Sequence, residues 1–404
     1  MSDRGPLDPG DDPFKNIPLF GDLARMLQQQ GPVSWDAARQ LAASIATEGA
    51  SEPNIDPMDR IKVEQLARVA DLHVTQASGL TTSPTGRGLT IVPVTRGQWI
   101  QQTMSAHRAL FESLAGSLSG GMANGLFAAD DPEDADDPMT KMLGGIMQAF
   151  SPVMLGMTAG SMLGHLARRS LGQYDLPIPR PPGDELMIVL ANVDEFGREW
   201  SLPDDDLRLW VCVHEVAHHA VLSVPHVRAR LQSLLEAYVD GFEPDSGALE
   251  SKLGELDVND MSGLNDMQQF FGDPELLLGA IQSPAQRELL PRLEAIVAVI
   301  VGYVDHLMDD IGQGLIGSYG MVTEAIRRRR VTADPSDRFV DRLLGLELSQ
   351  VQYERGSSFV EGVVERAGRV ALERLWSSER ELPTPAEVDA PGLWLARIDL
   401  PDTR

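Results

Sequence analysis

Residues 211–220 read VCVHEVAHHA and gather three of the chain's eight histidines around one glutamate. His214 and His218 are four residues apart, so on a helix both imidazoles project from one face, one turn apart. Two such rings can occupy neighbouring corners of a Zn²⁺ ion at about 2.0–2.1 Å. Glu215 lies beside them, placed to take a proton from a bound water as general base. A zinc ion would acidify that water and polarise a carbonyl, so the expected chemistry is hydrolysis of a peptide or other amide. The surrounding residues are apolar, with Trp210, Val211, Val213, Val216, Ala217 and Val221. Two histidines and a glutamate buried there need something to satisfy them, and a metal does so. His219 points off the ligand face and His226 follows a proline, so both read as ordinary residues. Cys212, the single cysteine, reads as a small buried hydrophobe.

A catalytic zinc commonly takes three protein ligands and a water, so a third donor is needed. LLEAYVD offers Glu236 and Asp240, although an amphipathic surface helix explains that segment better. IVGYVDHLMDD offers Asp305 on a mostly apolar helix, where a carboxylate requires a partner. His306 is adjacent to Asp305 but points about 100° away around the helix.

The elements that must position these residues follow from hydrophobic spacing. Helices are expected at 17–29, at 34–49 with Ser34 as N-cap, at 56–79 ending on Gly79, and at 96–118. Residues 88–95 read as a strand, and the centre of 185–196 reads as a buried strand just ahead of the histidine helix. Pro203 in a first-turn position and Asp204, Asp205 and Asp206 suit that helix's positive N-terminus. A long helix is expected over 283–312, and more helices follow towards the C-terminus. Residues 142–167 carry no formal charge and space Gly156, Gly160 and Gly164 four apart. That length could span a bilayer, but Pro152 and the scattered polar residues favour a buried helical hairpin of two pieces. Its methionines read as core filling. The expected fold class is mainly α (α+β), with many helices and a small sheet.

Sixty acids against 34 bases give a net charge of −26, which repels nucleic acid and anionic membrane, so no nucleic-acid partner is expected. One cysteine allows no internal disulfide and the first residues resemble no secretory signal, which points to the cytoplasm.

PVTRGQWI, LGQYDLPIP, LRLWVCVHEVAHHAV, GYVDHLMD, EAIRRRR and LPTPAEVDAPGLWLARI together carry a family resemblance over most of the chain. The sequence resembles the actinobacterial zincin-like hydrolases, labelled zinc-dependent metalloproteases, some of them linked by name to coenzyme F420 biosynthesis. The resemblance implies a zincin-like metalloprotease fold, a zinc cofactor, and His214, Glu215 and His218 in the roles given above. Members commonly carry a Glu-Gly-aromatic-x-Asp block whose Glu looks like the third ligand. Here Gly302, Tyr303 and Asp305 remain, but Val301 stands in the Glu position. Asp305 is then the leading third ligand, with Glu236 and His306 as alternatives. The competing expectation is a degenerate, non-catalytic interaction or scaffold protein on the same fold. The expected organisation is an N-terminal helical portion (1–117), an acidic flexible loop (118–140) and a zincin-like portion (141–404), integrated as one domain.

Arg327–Arg330 read as an ion-paired helix end, or otherwise as an anion or C-terminal carboxylate site near the metal. Tyr303 and Tyr319 read as packed aromatics ahead of oxyanion donors.

Overall fold

The computed structural model describes residues 31–114, 116–117, 138–241, 283–331, 341, 344–346 and 349–400, with backbone alone for 138–150 and 331. The expected helix at 17–29, most of the acidic loop and the polar stretch 243–275 lie outside these residues.

Among the described residues, helices surround a minimal two-stranded sheet. Helix α1 (Trp35–Thr47) turns its fully buried Ala38, Ala42 and Ala46 inward at four-residue spacing. Helix α2 (Pro57–Ser78) starts with the Asp56 side chain accepting from Met58 N and stops at left-handed Gly79. Strand β1 (Thr90–Val94) leads into α3 (Arg96–Ala106), which a reciprocal Thr95–Gln98 capping box starts.

Helix α4 (Pro138–Arg169) corrects the expected hairpin: it is one continuous element with Pro152 inside it. A proline in a helix costs one hydrogen bond. Here packing against α1 overrides that cost. The Pro152 carbonyl accepts from Ser34 N at 2.7 Å, and the glycines seat the α1 backbone. A Cβ on Gly160 would lie 2.5 Å from the Ala38 carbonyl oxygen, and one on Gly164 would lie 2.7 Å from Ile45 Cβ. The glycine spacing therefore serves a helix pair inside the protein, and no helix among the described residues is long and apolar enough to cross a membrane.

Strand β2 (Glu185–Val189) pairs in parallel with β1, from Thr90 opposite Glu185 to Val94 opposite Val189. It is shorter than expected, because Leu190–Glu199 form helix α5. Leu190, Val193, Phe196 and Gly197 recur there at helical spacing and are buried together, and that period outweighs the strand-like start. The segment after α4 lies along β2 as well. Gly172 bridges Ile188 in antiparallel sense, and Val189 N donates to the Leu171 carbonyl at 2.9 Å.

Helix α6 (Asp204–Leu222) is the central element, buried from Leu207 to Leu222. Its acidic first turn accepts from outside: Asp206 takes the Ser318 N–H at 2.8 Å and hydroxyl at 2.6 Å. Arg208, also buried, pairs with Asp59 and Asp194 at 2.9 Å each. Helices α7 (Pro225–Asp240), α8 (Pro284–Leu315) and α9 (Tyr319–Val331) pack against it, and α10 (Gln350–Ala367) packs on α8. Gly302 of α8 and Gly356 of α10 face each other where the two backbones meet. A 3-10 stretch (Arg369–Trp376) and short helices α11 (Pro385–Val388) and α12 (Pro391–Ile398) close the chain. Among the described residues the main hydrophobic core draws on positions from Ala38 to Ile398, with a small second cluster at Val33 and Leu155. Mostly helical, with a two-stranded parallel sheet, this is the expected α+β class.

Candidate functional site

Sixteen consecutive buried positions on α6 mean that its polar residues must be satisfied inside the protein. Glu215 is fully buried, His218 is 3% exposed and His214 8% exposed. All three line one cavity of about 90 Å³. The rings of His214 and His218 are 4.3 Å apart, centroid to centroid. His218 Nδ1 lies 3.1 Å from the His214 carbonyl oxygen, which occupies that nitrogen and leaves Nε2 as the free donor. Trp210 stacks on His214 at 5.0 Å and lines the same cavity.

The Glu215 carboxylate is held from the strand-like segment. Its Oε2 accepts from Gln173 N at 2.8 Å and Tyr174 N at 2.9 Å, and its Oε1 lies 3.4 Å from His214 Nδ1. Gly172 is required by this approach, since a Cβ there would stand 2.5 Å from Glu215 Oε1. Trp99 Nε1 in turn donates to the Gly172 carbonyl at 2.8 Å. The β2-edge segment, the indole and the glutamate thus position one another.

Burial sets the electrostatics. It lowers His214 to about 4, with Arg330 adding to the effect, and it lowers His218 well below the usual imidazole value. Both rings are therefore neutral at physiological pH, the form that ligates metal. Burial pushes Glu215 up to about 8; the Asp175 charge adds to this, and the two backbone N–H groups oppose it.

The third donor is where sequence expectation and geometry part. Val301, not a carboxylate, faces the cavity with the histidines. Asp305, one turn further along α8, does not line the cavity. Its carboxylate is taken by Arg330 through bonds of 3.1–3.3 Å, and the Arg330 guanidinium lies 4.3 Å from the Tyr353 ring centroid. Glu236 is exposed on α7 and accepts from Gln232 at 2.9 Å. His306 lines a separate cleft between α8, α9 and α10. Among the described residues no group of three His, Cys, Asp or Glu side chains is placed to hold a metal. The imidazole pair thus fits two corners of a zinc site, and the described residues do not complete it.

Residues missed from sequence complete the cavity wall: Asp175 and Tyr174 from the β2-edge segment and Tyr353 from α10, beside Arg329 of the arginine run. Only long-range folding brings them there, although LGQYDLPIP had marked the first two as part of a resemblance. Three residues of the Arg327–Arg330 run are ion-paired. Arg328 meets Glu324 at 2.7 Å, Arg329 lies 3.5 Å from Asp175 and donates to the Arg169 carbonyl, and Arg330 holds Asp305. Two of these arginines nonetheless line the histidine cavity. Tyr303 packs edge-on against Trp376 at 4.9 Å, and Tyr319 donates to Asp309 at 2.6 Å, both away from the cavity.

Residues 33–395 match the model of the zincin-like metallopeptidases. The chain belongs to this zincin-like metallopeptidase family. A comparison with curated proteins finds no significant match. Among solved structures, the family member resembles a proposed hydrolase of novel fold from Chloroflexus aurantiacus. The two share 24% identity over 92% of this chain and 100% of the other, with a TM-score of 0.61. At that identity the likeness concerns the fold. The family membership implies zinc binding in general.

Proposed function

We propose that this zincin-like protein is a metal-dependent hydrolase acting on a peptide or other amide bond. The observation that carries the reading is the convergence of His214, Glu215 and His218 on one buried cavity, with His218 Nδ1 already occupied by a backbone carbonyl. In this reading His214 and His218 hold the zinc ion and Glu215 is the general base. A bound zinc would supply Lewis acidity towards a water and a carbonyl. The chain's own residues do the rest. Backbone N–H groups of Gln173 and Tyr174 hold one Glu215 oxygen, leaving the other on the His214 side to take and return a proton. Trp210, Val301 and Tyr353 line the cavity and restrict bulk water around that proton transfer.

A second reading is a non-catalytic interaction protein on a zincin fold. It is favoured by Val301 at the third corner and by Arg330 holding Asp305. Elemental analysis of protein purified without added metal separates the two. Near one zinc per chain, lost in His218→Ala, supports the hydrolase. No metal even after zinc is supplied supports the interaction protein. Glu215→Gln should then remove about 10²–10⁴-fold of any hydrolysis while leaving the metal bound. Unchanged turnover would exclude Glu215 as the base.

A further inference from the structure

Tyr174 is also a wall of a second concavity. This is a cleft of about 740 Å³ between α3, the β1–β2 sheet and the segment 173–183. Its ring lies 6.2 Å from His218 and 6.1 Å from His219, centroid to centroid, so it stands between the histidine pair and the cleft. The cleft is lined by Arg180 and Arg60, by the amides of Gln101, Gln102 and Gln173, and by His219.

The two arginines differ from the others near the site. One Arg180 nitrogen donates to Thr103 Oγ1 at 2.7 Å, but its Nε is sealed from solvent with no acceptor. Neither Arg180 nor Arg60 has a carboxylate partner among the described residues. Arg208, Arg329 and Arg330 all do. In a chain of 60 acids and 34 bases neither guanidinium forms a close ion pair among the described residues; Arg60 is exposed, and Arg180 feels the Glu215 charge only from further off. Glu185 lines the cleft but pairs with neither. A ligand in the cleft meets the terminal nitrogens of a guanidinium rather than the sealed Nε, and a carboxylate can take those two nitrogens through parallel bonds. The amides around it supply donors and acceptors for a polar ligand body. The volume lies within the range of small-molecule sites. Glu185 and the acidic field disfavour a multiply charged ligand, which sets a monocarboxylate ahead of a phosphate.

We propose that this cleft is a binding site for a small ligand carrying a free carboxylate, such as a short peptide with a free C-terminus, anchored by Arg180 with Arg60 beside it. The cleft adjoins the histidine cavity, with Tyr174 as a shared wall and the Arg180 charge acting on Glu215, but its occupation does not depend on hydrolysis.

The test is calorimetric titration of the full chain with N-acetyl-dialanine, with its C-terminal amide and with inorganic phosphate. The free acid should bind at least about tenfold more tightly than the amide or phosphate. Arg180→Gln should lose that preference. Gln102→Glu, at an exposed position that adds a negative charge to the cleft, should weaken the acid by about tenfold while leaving the fold intact. Unfolding curves on both variants confirm that they fold. Equal binding of acid and amide, phosphate binding as tight as the acid, no binding at all, or binding that survives Gln102→Glu would each overturn the proposal. No variant replaces His214, Glu215 or His218 and the readout is binding rather than turnover, so a failure here leaves the hydrolase reading standing, and the reverse also holds.

Discussion

His218 Nδ1 sits 3.1 Å from the carbonyl oxygen of His214, one turn back along the same helix. The relationship fixes which ring nitrogen is available, because a nitrogen donating to a carbonyl cannot also bind a metal. His218→Asn, which shortens the side chain and removes the ring, should therefore lower zinc affinity by at least about tenfold, the scale that even supporting partners of ligands contribute. Competition against a chromophoric chelator measures it. Equal affinity in wild type and variant would remove His218 from the metal site.

Val301 faces the same cavity from α8. Val301→Glu restores a carboxylate opposite the histidine pair. Zinc affinity should rise by at least about tenfold, and zinc should raise the melting temperature of the variant more than that of the wild type. Without zinc, the buried carboxylate should destabilise the protein by about 1–3 kcal/mol. An affinity no better than wild type would mean that the α8 backbone does not present that position to the metal.

Arg330 and Asp305 form a half-buried pair beside the cavity. Asp305→Asn should destabilise the chain by about 2 kcal/mol, because Arg330 loses its counter-charge. Adding Arg330→Met should recover part of that loss, since no unpaired charge remains. A double-mutant cycle by denaturant unfolding gives the coupling, and strict additivity would show that the pair is not energetically linked.

Gly160 lies against the α1 backbone, where a new Cβ would meet the Ala38 carbonyl oxygen at 2.5 Å. Gly160→Ala should cost about 1–3 kcal/mol despite the better helix propensity of alanine, because packing is lost faster than propensity is gained. Thermal unfolding checks the sign, and a stabilised variant would show that α1 and α4 can separate freely.

His107 is buried, and that burial, reinforced by the Arg180 charge, lowers its pKa to about 3. In the unfolded chain an imidazole titrates near 6.5. Between these values the unfolded state takes up a proton that the folded state refuses, so stability falls as pH drops through 6.5 towards 3. Above 6.5 His107 contributes no pH dependence. Denaturant unfolding of metal-free protein from pH 4 to pH 8 should show this slope, reduced in His107→Gln. An identical slope in the variant would place the acid sensitivity elsewhere.

Local pattern alone determined much of this protein. Four-residue spacing put His214 and His218 on one face, Asp204–Asp206 marked the start of their helix, and the residues at 56–79 ended on Gly79 as read. Those features depend on helix period and capping, which act over a few residues. Tertiary structure decided what those patterns were for. It kept α4 continuous through Pro152, because the α1 backbone packs against its glycines, and it ended β2 at Val189, because the next residues bury a helical face. It brought Gln173 and Tyr174 to Glu215 across some forty residues, and Arg330 to Asp305 across 25. Nothing in the spacing around HEVAH encodes which carboxylates are already committed to arginines. Ion pairing in a folded interior depends on which helices meet, and that is settled by the packing of the whole core.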